Sequence, residues 1–322
     1  MKAAVIYQAG AMPEYTDVDE PIVRTDDELL ITVKAAAIKH FDRGIARGTH
    51  YSAEDKKTAK IPGGDGVGVL ADGTKVYSMG SGGMLAEKAI IEKERMVKLP
   101  SNLDDATAAA MANAVIGSAM GLRFKADIQP GDVVLVNGAT GFTGKMAVQI
   151  AKHYGAKKVI ATGRNEQSLQ TLLSLGADEI ISLKQSDENI LSQLKEIHKN
   201  TPIDIIIDYV WGHTAEMILA TLKGKGSFTH KTRYVSIGAM SGDLIQLSAA
   251  NLRSVDLQLS GSGLGSWSKE QVHKLFTEIL PEMFQLAADG KLKVDTISVP
   301  LKDIGKLWDM EVPDGKRIVV IP

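Results

Sequence analysis

The stretch Val133–Ala151, VVLVNGATGFTGKMAVQIA, decides the fold. Val133 to Val136 form a short continuous apolar run of the kind found in a buried strand. After it come Gly138, Gly141 and Gly144, and then Met146, Ala147, Ile150, Ala151 and Tyr154 recur at helical spacing on one face. Glycines between a strand and a helix allow a tight turn, let a diphosphate approach the backbone and let the helix lie close on the strand. The free N–H groups that open the helix then face the phosphates. The turn Gly138-Ala139-Thr140-Gly141-Phe142-Thr143-Gly144 is therefore expected to seat a dinucleotide.

Outward from this turn, short apolar runs alternate with helical patterns. Strands are expected at Val159–Ala161, Glu179–Ser182, Ile203–Val210, Tyr234–Ile237 and Leu257–Leu259. Leu169, Leu172 and Leu173 mark one intervening helix, and Ile190, Leu191, Leu194 and Ile197 mark another, while Gly155 and Gly176 stand where helices stop. This alternation predicts an α/β Rossmann domain, a doubly wound parallel sheet with right-handed crossovers. Before it, from Met1 to about Pro100, the apolar runs are short and β-rich, and an Asp72-Gly73 turn suggests a hairpin. A compact β domain is expected there.

The end of the second strand bears on which dinucleotide is bound. An acid about 20 residues beyond the glycines holds a ribose 2′-hydroxyl, whereas an arginine accommodates a 2′-phosphate. Here the strand ends VIATGRNEQ, with Gly163 at the acid's place and Arg164 and Asn165 next. A guanidinium binds phosphate bidentately and a carboxylate repels it, so NADPH is expected over NADH. The alternative is a solvated Arg164, with Glu166 reaching the ribose.

Composition narrows the function classes. The 322 residues suggest two domains, and 37 lysines and arginines against 39 aspartates and glutamates leave no net field to hold a nucleic acid. The basic group Lys223, Lys225, His230, Lys231 and Arg233 is read as a solvated loop. There is no cysteine, which excludes thiolate zinc sites, disulfides and a cysteine nucleophile. The seven histidines show no metal-ligand spacing, so no metal is expected. Ala108–Leu122 is shorter than the roughly 20 residues that span a bilayer. With no membrane span and no address signal, a cytoplasmic protein is expected.

Several segments, in order along the chain, resemble the medium-chain dehydrogenase/reductase superfamily and its zinc-independent quinone oxidoreductase branch. They are MKAAVIYQAG, ITVKAAAIKHFDRGIARG, IPGGDGVG, QPGDVVLVNGATGFTG, LGADEII, DYVWGHT and GKRIVVIP. The resemblance implies a GroES-like β-barrel domain from residues 1–117 and 262–322, a Rossmann domain from 118–261, and NADPH in the cleft between them. Zinc-dependent members carry C-H-x-D and P-G-H-E patterns. This sequence reads Lys39-His40-Phe41-Asp42 and Pro62-Gly63-Gly64-Asp65, so both ligands are missing. The chemistry expected is then hydride transfer from NADPH to a quinone or an α,β-unsaturated carbonyl, whose accepted charge is delocalised onto oxygen.

Relatives commonly hold an asparagine near the nicotinamide where Lys39 stands, which makes Lys39 a candidate catalytic group. Tyr51, beside His50, is a second candidate, while Asp42 is expected to be a buried structural acceptor. A threonine of the helix leading into the cofactor domain is replaced by Gly117, with Ser118 adjacent. Val210 after the fourth strand is expected beside the adenosine ribose. Ile237 and Gly238 after the fifth, and Ser260 and Gly261 after the sixth, are expected along the cofactor toward the nicotinamide. The resemblance also implies a homodimer joined through the strand at Leu257–Leu259. The competing reading is a non-catalytic NADPH-binding sensor or RNA-binding protein on the same fold. A hydrolase finds no G-x-S-x-G elbow in the sequence.

Overall fold

The computed structural model describes residues 1–53, 59–224, 229–312 and 315–322. Its contacts divide the chain into two units, Met1–Ala112 with His273–Pro322, and Asn113–Val272. The seams thus fall after 112 and 272, five residues before and eleven residues after the 117 and 261 that the resemblance implies.

In the first unit, β1 (Lys2–Val5) and β2 (Glu14–Asp17) form an antiparallel ribbon. β3 (Glu28–Ala37) is followed by α1 (His40–Arg47), β4 (Asp65–Val69), β5 (Lys75–Gly80) and β6 (Lys88–Lys98). Pairing runs β3–β4–β5–β6 and returns from β6 to β3, closing these strands into a barrel. Closure removes the free edges of the sheet. The expected hairpin joins β4 to β5: the Gly73 N–H donates to the Leu70 carbonyl at 2.9 Å, and the Thr74 N–H donates to Asp72 Oδ1 at 2.9 Å. Residues alternate in and out along the middle of β3, as a strand with one buried face requires. Ile31, Val33 and Ile91 pack there with Trp308, Ile318 and Val320 from the end of the chain.

The second unit begins within α2 (Asp105–Met120), which continues into a π-helical turn at Gly121–Lys125. Then come β7 (Val133–Asn137), α3 (Phe142–His153), β8 (Lys158–Gly163), α4 (Glu166–Ser174), β9 (Glu179–Ser182) and α5 (Asp187–Asn200). β10 (Ile205–Asp208), α6 (Gly212–Thr221), β11 (Thr232–Ser236), α7 (Ala249–Ser254) and β12 (Leu257–Gly261) complete it. The six strands lie in the order β12-β11-β10-β7-β8-β9 and are all parallel. The order reverses between β7 and β10, which makes a ligand crevice at their carboxyl ends. Gly155 closes α3 as expected: at φ 89° it lets its own N–H and that of Ala156 reach the carbonyls of Lys152 and Ala151.

The expected strand over Ile203–Val210 is shorter in the structure, ending at Asp208. The cause is local. The N–H groups of Val210 and Trp211 donate to the Asp208 carboxylate, at 2.8 Å and 3.1 Å, and so turn the chain out of the sheet. After α7 and β12 the chain returns to the first unit through α8 (Lys269–Lys274), α9 (Leu280–Ala288), β13 (Thr296–Pro300), α10 (Ile304–Leu307) and β14 (Arg317–Ile321). β14 pairs with both β13 and β3. Among the described residues, no helix is long and apolar enough to cross a membrane.

Candidate active site

The glycine turn is held from below. Gly138 has φ 85°, a conformation that disfavours a side chain, and a Cβ there would lie 2.5 Å from Val210 Cγ2. A Cβ on Gly144 would lie 2.4 Å from the Gly138 carbonyl oxygen, so its hydrogen side chain lets α3 lie against the turn. Gly141 differs, because nothing stands within 4 Å of the position its Cβ would take. It is the N-cap residue of α3, and no side chain caps the helix. The first N–H groups of a helix have no partner within it and carry its positive end. An open surface over such donors fits a diphosphate. Phe142 is buried and Thr143 half-buried at the first positions of α3. Ala139 is tied to β8 by its N–H, which donates to the Thr162 carbonyl at 2.8 Å.

A polar scaffold lies under the turn, made from the last residues of successive strands. The buried Asp208 carboxylate accepts from Asn137 Nδ2 at 2.7 Å and from the Tyr234 hydroxyl at 2.6 Å, besides the N–H groups of Val210 and Trp211. The Thr162 hydroxyl donates to Asn137 Oδ1 at 2.7 Å. This links β8, β7, β10 and β11 in one chain of bonds. Burial, reinforced by Asp208, holds the Tyr234 phenol well above its usual range. Trp211 has φ 57°, strained for a side chain of its size, and its Nε1 donates to the Asp243 carbonyl at 3.2 Å. Sequence reasoning missed Asn137, Thr162, Tyr234 and Trp211 as parts of the site. The available signal was that apolar runs end on a polar residue at Asn137, Thr162 and Asp208.

The other expected cofactor residues lie along the carboxyl edge of the same sheet. Gly163 ends β8, and Arg164 is exposed with no ion pair among the described residues. The Asn165 side chain is engaged as the cap of α4, its Oδ1 accepting the Ser168 N–H at 2.9 Å. Val210 stands over Gly138. Ile237 reaches toward Gly117 and Gly121, and Gly238 fits against the Tyr209 carbonyl, 2.8 Å from where its Cβ would lie. Ser260 is half-buried, and Gly261 is exposed at the end of β12. Ser118 and Tyr209 share a hydrogen bond of 2.8 Å, and the Ser118 hydroxyl also donates to the Thr143 carbonyl at 3.3 Å. Burial pushes the Tyr209 phenol up.

The first unit holds a separate charge cluster. Lys39 is 2% exposed, and its ammonium pairs with the Asp65 carboxylate, lies 3.1 Å from Asp42 Oδ2 and donates to the Ala37 carbonyl at 3.2 Å. Asp42 also accepts the backbone N–H groups of Lys39 and Gly64, each at 3.0 Å, and the Tyr77 hydroxyl donates to Asp65 at 2.8 Å. Burial pulls the Lys39 ammonium down, but Asp42 and Asp65 outweigh it and hold the group above its usual value. Burial and Asp65 push the Tyr77 phenol up. Tyr51 is 75% exposed, its ring 4.3 Å from that of His50, which meets Phe41 edge-on at 5.0 Å. Among the described residues no group of His, Asp and Glu gathers as a metal site.

The basic loop is engaged in local bonds. Arg233 donates to the Ala126 and Asp127 carbonyls and pairs with Asp132 at 2.9 Å, and His230 lies 2.6 Å from Asp204. Lys225 falls outside the described residues.

A closed β barrel together with a doubly wound sheet that carries an open glycine turn defines a nucleotide-binding oxidoreductase of two units. The family model described as "Zinc-binding dehydrogenase" matches residues 143–281. The Emericella nidulans protein named "Probable NADPH-dependent quinone reductase" is 26% identical over 350 residues, covering 96% of each chain. The chloroplastic NADPH-dependent alkenal/one oxidoreductase of Arabidopsis thaliana is 33% identical over 185 residues, 51% of this chain and 47% of that one. In fold, the chain matches the quinone oxidoreductase from Thermus thermophilus, also solved with NADPH, at a TM-score of 0.82, with 24% identity and all of both chains covered. These likenesses support the medium-chain dehydrogenase/reductase superfamily and its quinone oxidoreductase-like branch.

Proposed function

We infer that the protein is an NADPH-dependent oxidoreductase that reduces a quinone or an α,β-unsaturated carbonyl without zinc. The observation that carries this reading is the uncapped start of α3 under Gly141, open where a diphosphate would need room. The named activities of the relatives support the same cofactor and acceptor classes. When bound, NADPH supplies a hydride from C4 of its dihydronicotinamide ring and becomes NADP+, while the acceptor takes the hydride and one proton from solvent.

The turn from Gly138 to Gly144 holds the diphosphate through backbone N–H groups. Arg164 holds the 2′-phosphate. Asn165 shapes that end by capping α4. Val210, Ile237, Gly238, Ser260 and Gly261 orient the nucleotide along the sheet edge. Tyr51 offers an exposed aromatic face and a phenol to a planar acceptor. Lys39 acts as an internal cation. Its ammonium lies between Asp42 and Asp65, at the position where zinc-dependent relatives carry a ligand, and supports a zinc-free site because a metal there would meet like charge.

The proposal includes a homodimer joined along β12, an edge strand of its sheet with Leu259 exposed. It also includes a cytoplasmic location and no nucleic-acid or membrane partner. The near balance of charge supports the absence of a polyanion partner.

The test follows NADPH absorbance across a panel of quinones, enones and primary alcohols, with and without a chelator. Oxidation of NADPH by a quinone or enone, unaffected by the chelator, is the expected result. Zinc-dependent oxidation of a primary alcohol with no quinone turnover would overturn the reading. NADPH binding without turnover of any acceptor would favour the non-catalytic sensor.

A further inference from the structure

Gly163 is a glycine for a reason unrelated to backbone conformation. It closes β8 in regular strand geometry and is not among the glycines with positive φ. Space is the constraint. A Cβ at 163 would lie 2.3 Å from Thr140 Cγ2, 2.9 Å from its Oγ1 and 3.1 Å from its Cβ. Because all three atoms belong to one short β-branched side chain, no rotation of Thr140 clears the overlap.

Neither backbone is free to withdraw. On one side the Ala139 N–H is bonded to the Thr162 carbonyl at 2.8 Å, and on the other the Leu183 N–H is bonded to the Gly163 carbonyl at 2.8 Å. Thr140 and Gly163 are therefore a fixed steric pair, one filling the volume that the other leaves. Position 163 is also where an acidic side chain would meet an adenosine ribose in a dinucleotide fold of this kind. The first side chain beyond it belongs to Arg164, exposed and without an ion pair among the described residues.

We propose that Thr140 is the steric gatekeeper of position 163, and so controls whether a selectivity-setting acid can stand there. By occupying the space at the end of β8 it excludes an acid from position 163, so that the Arg164 cation directly follows a residue without a side chain, which favours the 2′-phosphorylated nucleotide. The inference rests on the reading of the chain as an NADPH-binding protein. It adds that the residue allowed at 163 is limited from inside the diphosphate turn, beside the charge that the arginine supplies.

The experiment compares the wild type with Thr140→Ala, Gly163→Asp and the double variant T140A/G163D. Melting temperature is measured without nucleotide, and NADPH and NADH dissociation constants are measured by calorimetry without acceptor. G163D alone is expected to melt several degrees lower, and the double variant to regain most of that loss. The double variant is also expected to shift the NADPH-to-NADH affinity ratio toward NADH by about tenfold or more, the scale of a single charge-assisted hydrogen bond. T140A alone is expected to change the two affinities alike, because both nucleotides share the diphosphate, and so to keep the wild-type ratio. The proposal is overturned if G163D melts like the wild type, if the double variant melts no higher than G163D, or if the double variant is restored in stability with an unchanged ratio. Failure of the wild type to bind either nucleotide would instead sink the NADPH reading, while the melting comparison would still decide whether Thr140 is the obstruction.

Discussion

The hydroxyl of Tyr234 donates to the carboxylate of Asp208 across 2.6 Å and so ties β11 to β10 directly under the glycine turn. The same carboxylate holds Asn137 and the strained Trp211 backbone, which makes it the anchor of the sheet's carboxyl edge. Tyr234→Phe removes one donor from a buried charge and is expected to cost about 1.5–3 kcal/mol. Asp208→Ala strands every donor at once and is expected to cost more than Y234F and to weaken NADPH binding, because Val210 and Trp211 lose their anchor. Urea melts with parallel nucleotide titrations check both. Wild-type stability in both variants would show that the network is dispensable.

Gly141 and Gly144 lie three residues apart in the same turn and should respond to the same substitution in opposite ways. Gly141→Ala meets open space at φ −74° and is expected to leave the melting temperature nearly unchanged while weakening NADPH binding. Gly144→Ala drives a methyl group into the Gly138 carbonyl and Ala139 backbone, and is expected to cost about 1–3 kcal/mol or more. Melting curves and binding isotherms on the pair separate room for ligand from room for fold. Equal destabilisation would remove Gly141 from the proposed site.

Arg164 is exposed and has no carboxylate partner among the described residues, so its removal should not disturb the fold. Arg164→Gln is expected to weaken NADPH by roughly tenfold to a hundredfold, the scale of a charge-assisted hydrogen bond. NADH binding should change little, since that nucleotide lacks the 2′-phosphate. Added salt should narrow the difference, as it does for any exposed charge. Equal weakening of both nucleotides would mean that the guanidinium does not read the phosphate.

The alternation of apolar runs with helical spacing was enough to read the parallel sheet, since each strand from β7 to β12 carries its own run. The glycine turn was legible because its spacing lies between two such signals. Asp42 was also legible: it is buried and accepts backbone N–H groups, as expected. The scaffold of Asn137, Thr162, Asp208 and Tyr234 was not, because pairing between strands distant in sequence decides which polar residues meet. Lys39 shows the same limit more sharply. A lysine next to a histidine carries no sign of burial, and its partner Asp65 comes from a strand 26 positions away. Periodicity reports on neighbours along an element, whereas a buried ion cluster is made across elements.

That cluster predicts how stability depends on pH. Lys39 is held above its ordinary value of 10.5, so its contribution is complete below that value and is lost as pH rises through the raised one. Tyr77 acts in the same direction, because its folded form keeps a proton that the unfolded phenol releases from about pH 10. Unfolding free energy should therefore fall above about pH 10, and the Lys39 and Tyr77 contributions should be level between about pH 7 and 9. Lys39→Met takes from the buried Asp42 and Asp65 the ammonium that pairs with them and is expected to cost about 3–5 kcal/mol at neutral pH. The triple variant K39M/D42N/D65N should recover part of this loss and show a shallower alkaline limb, with the buried phenols of Tyr77, Tyr209 and Tyr234 left to titrate. Urea melts from about pH 7 to 11 on the three proteins check the sign. A K39M variant with wild-type stability at neutral pH would show that the charges do not depend on one another.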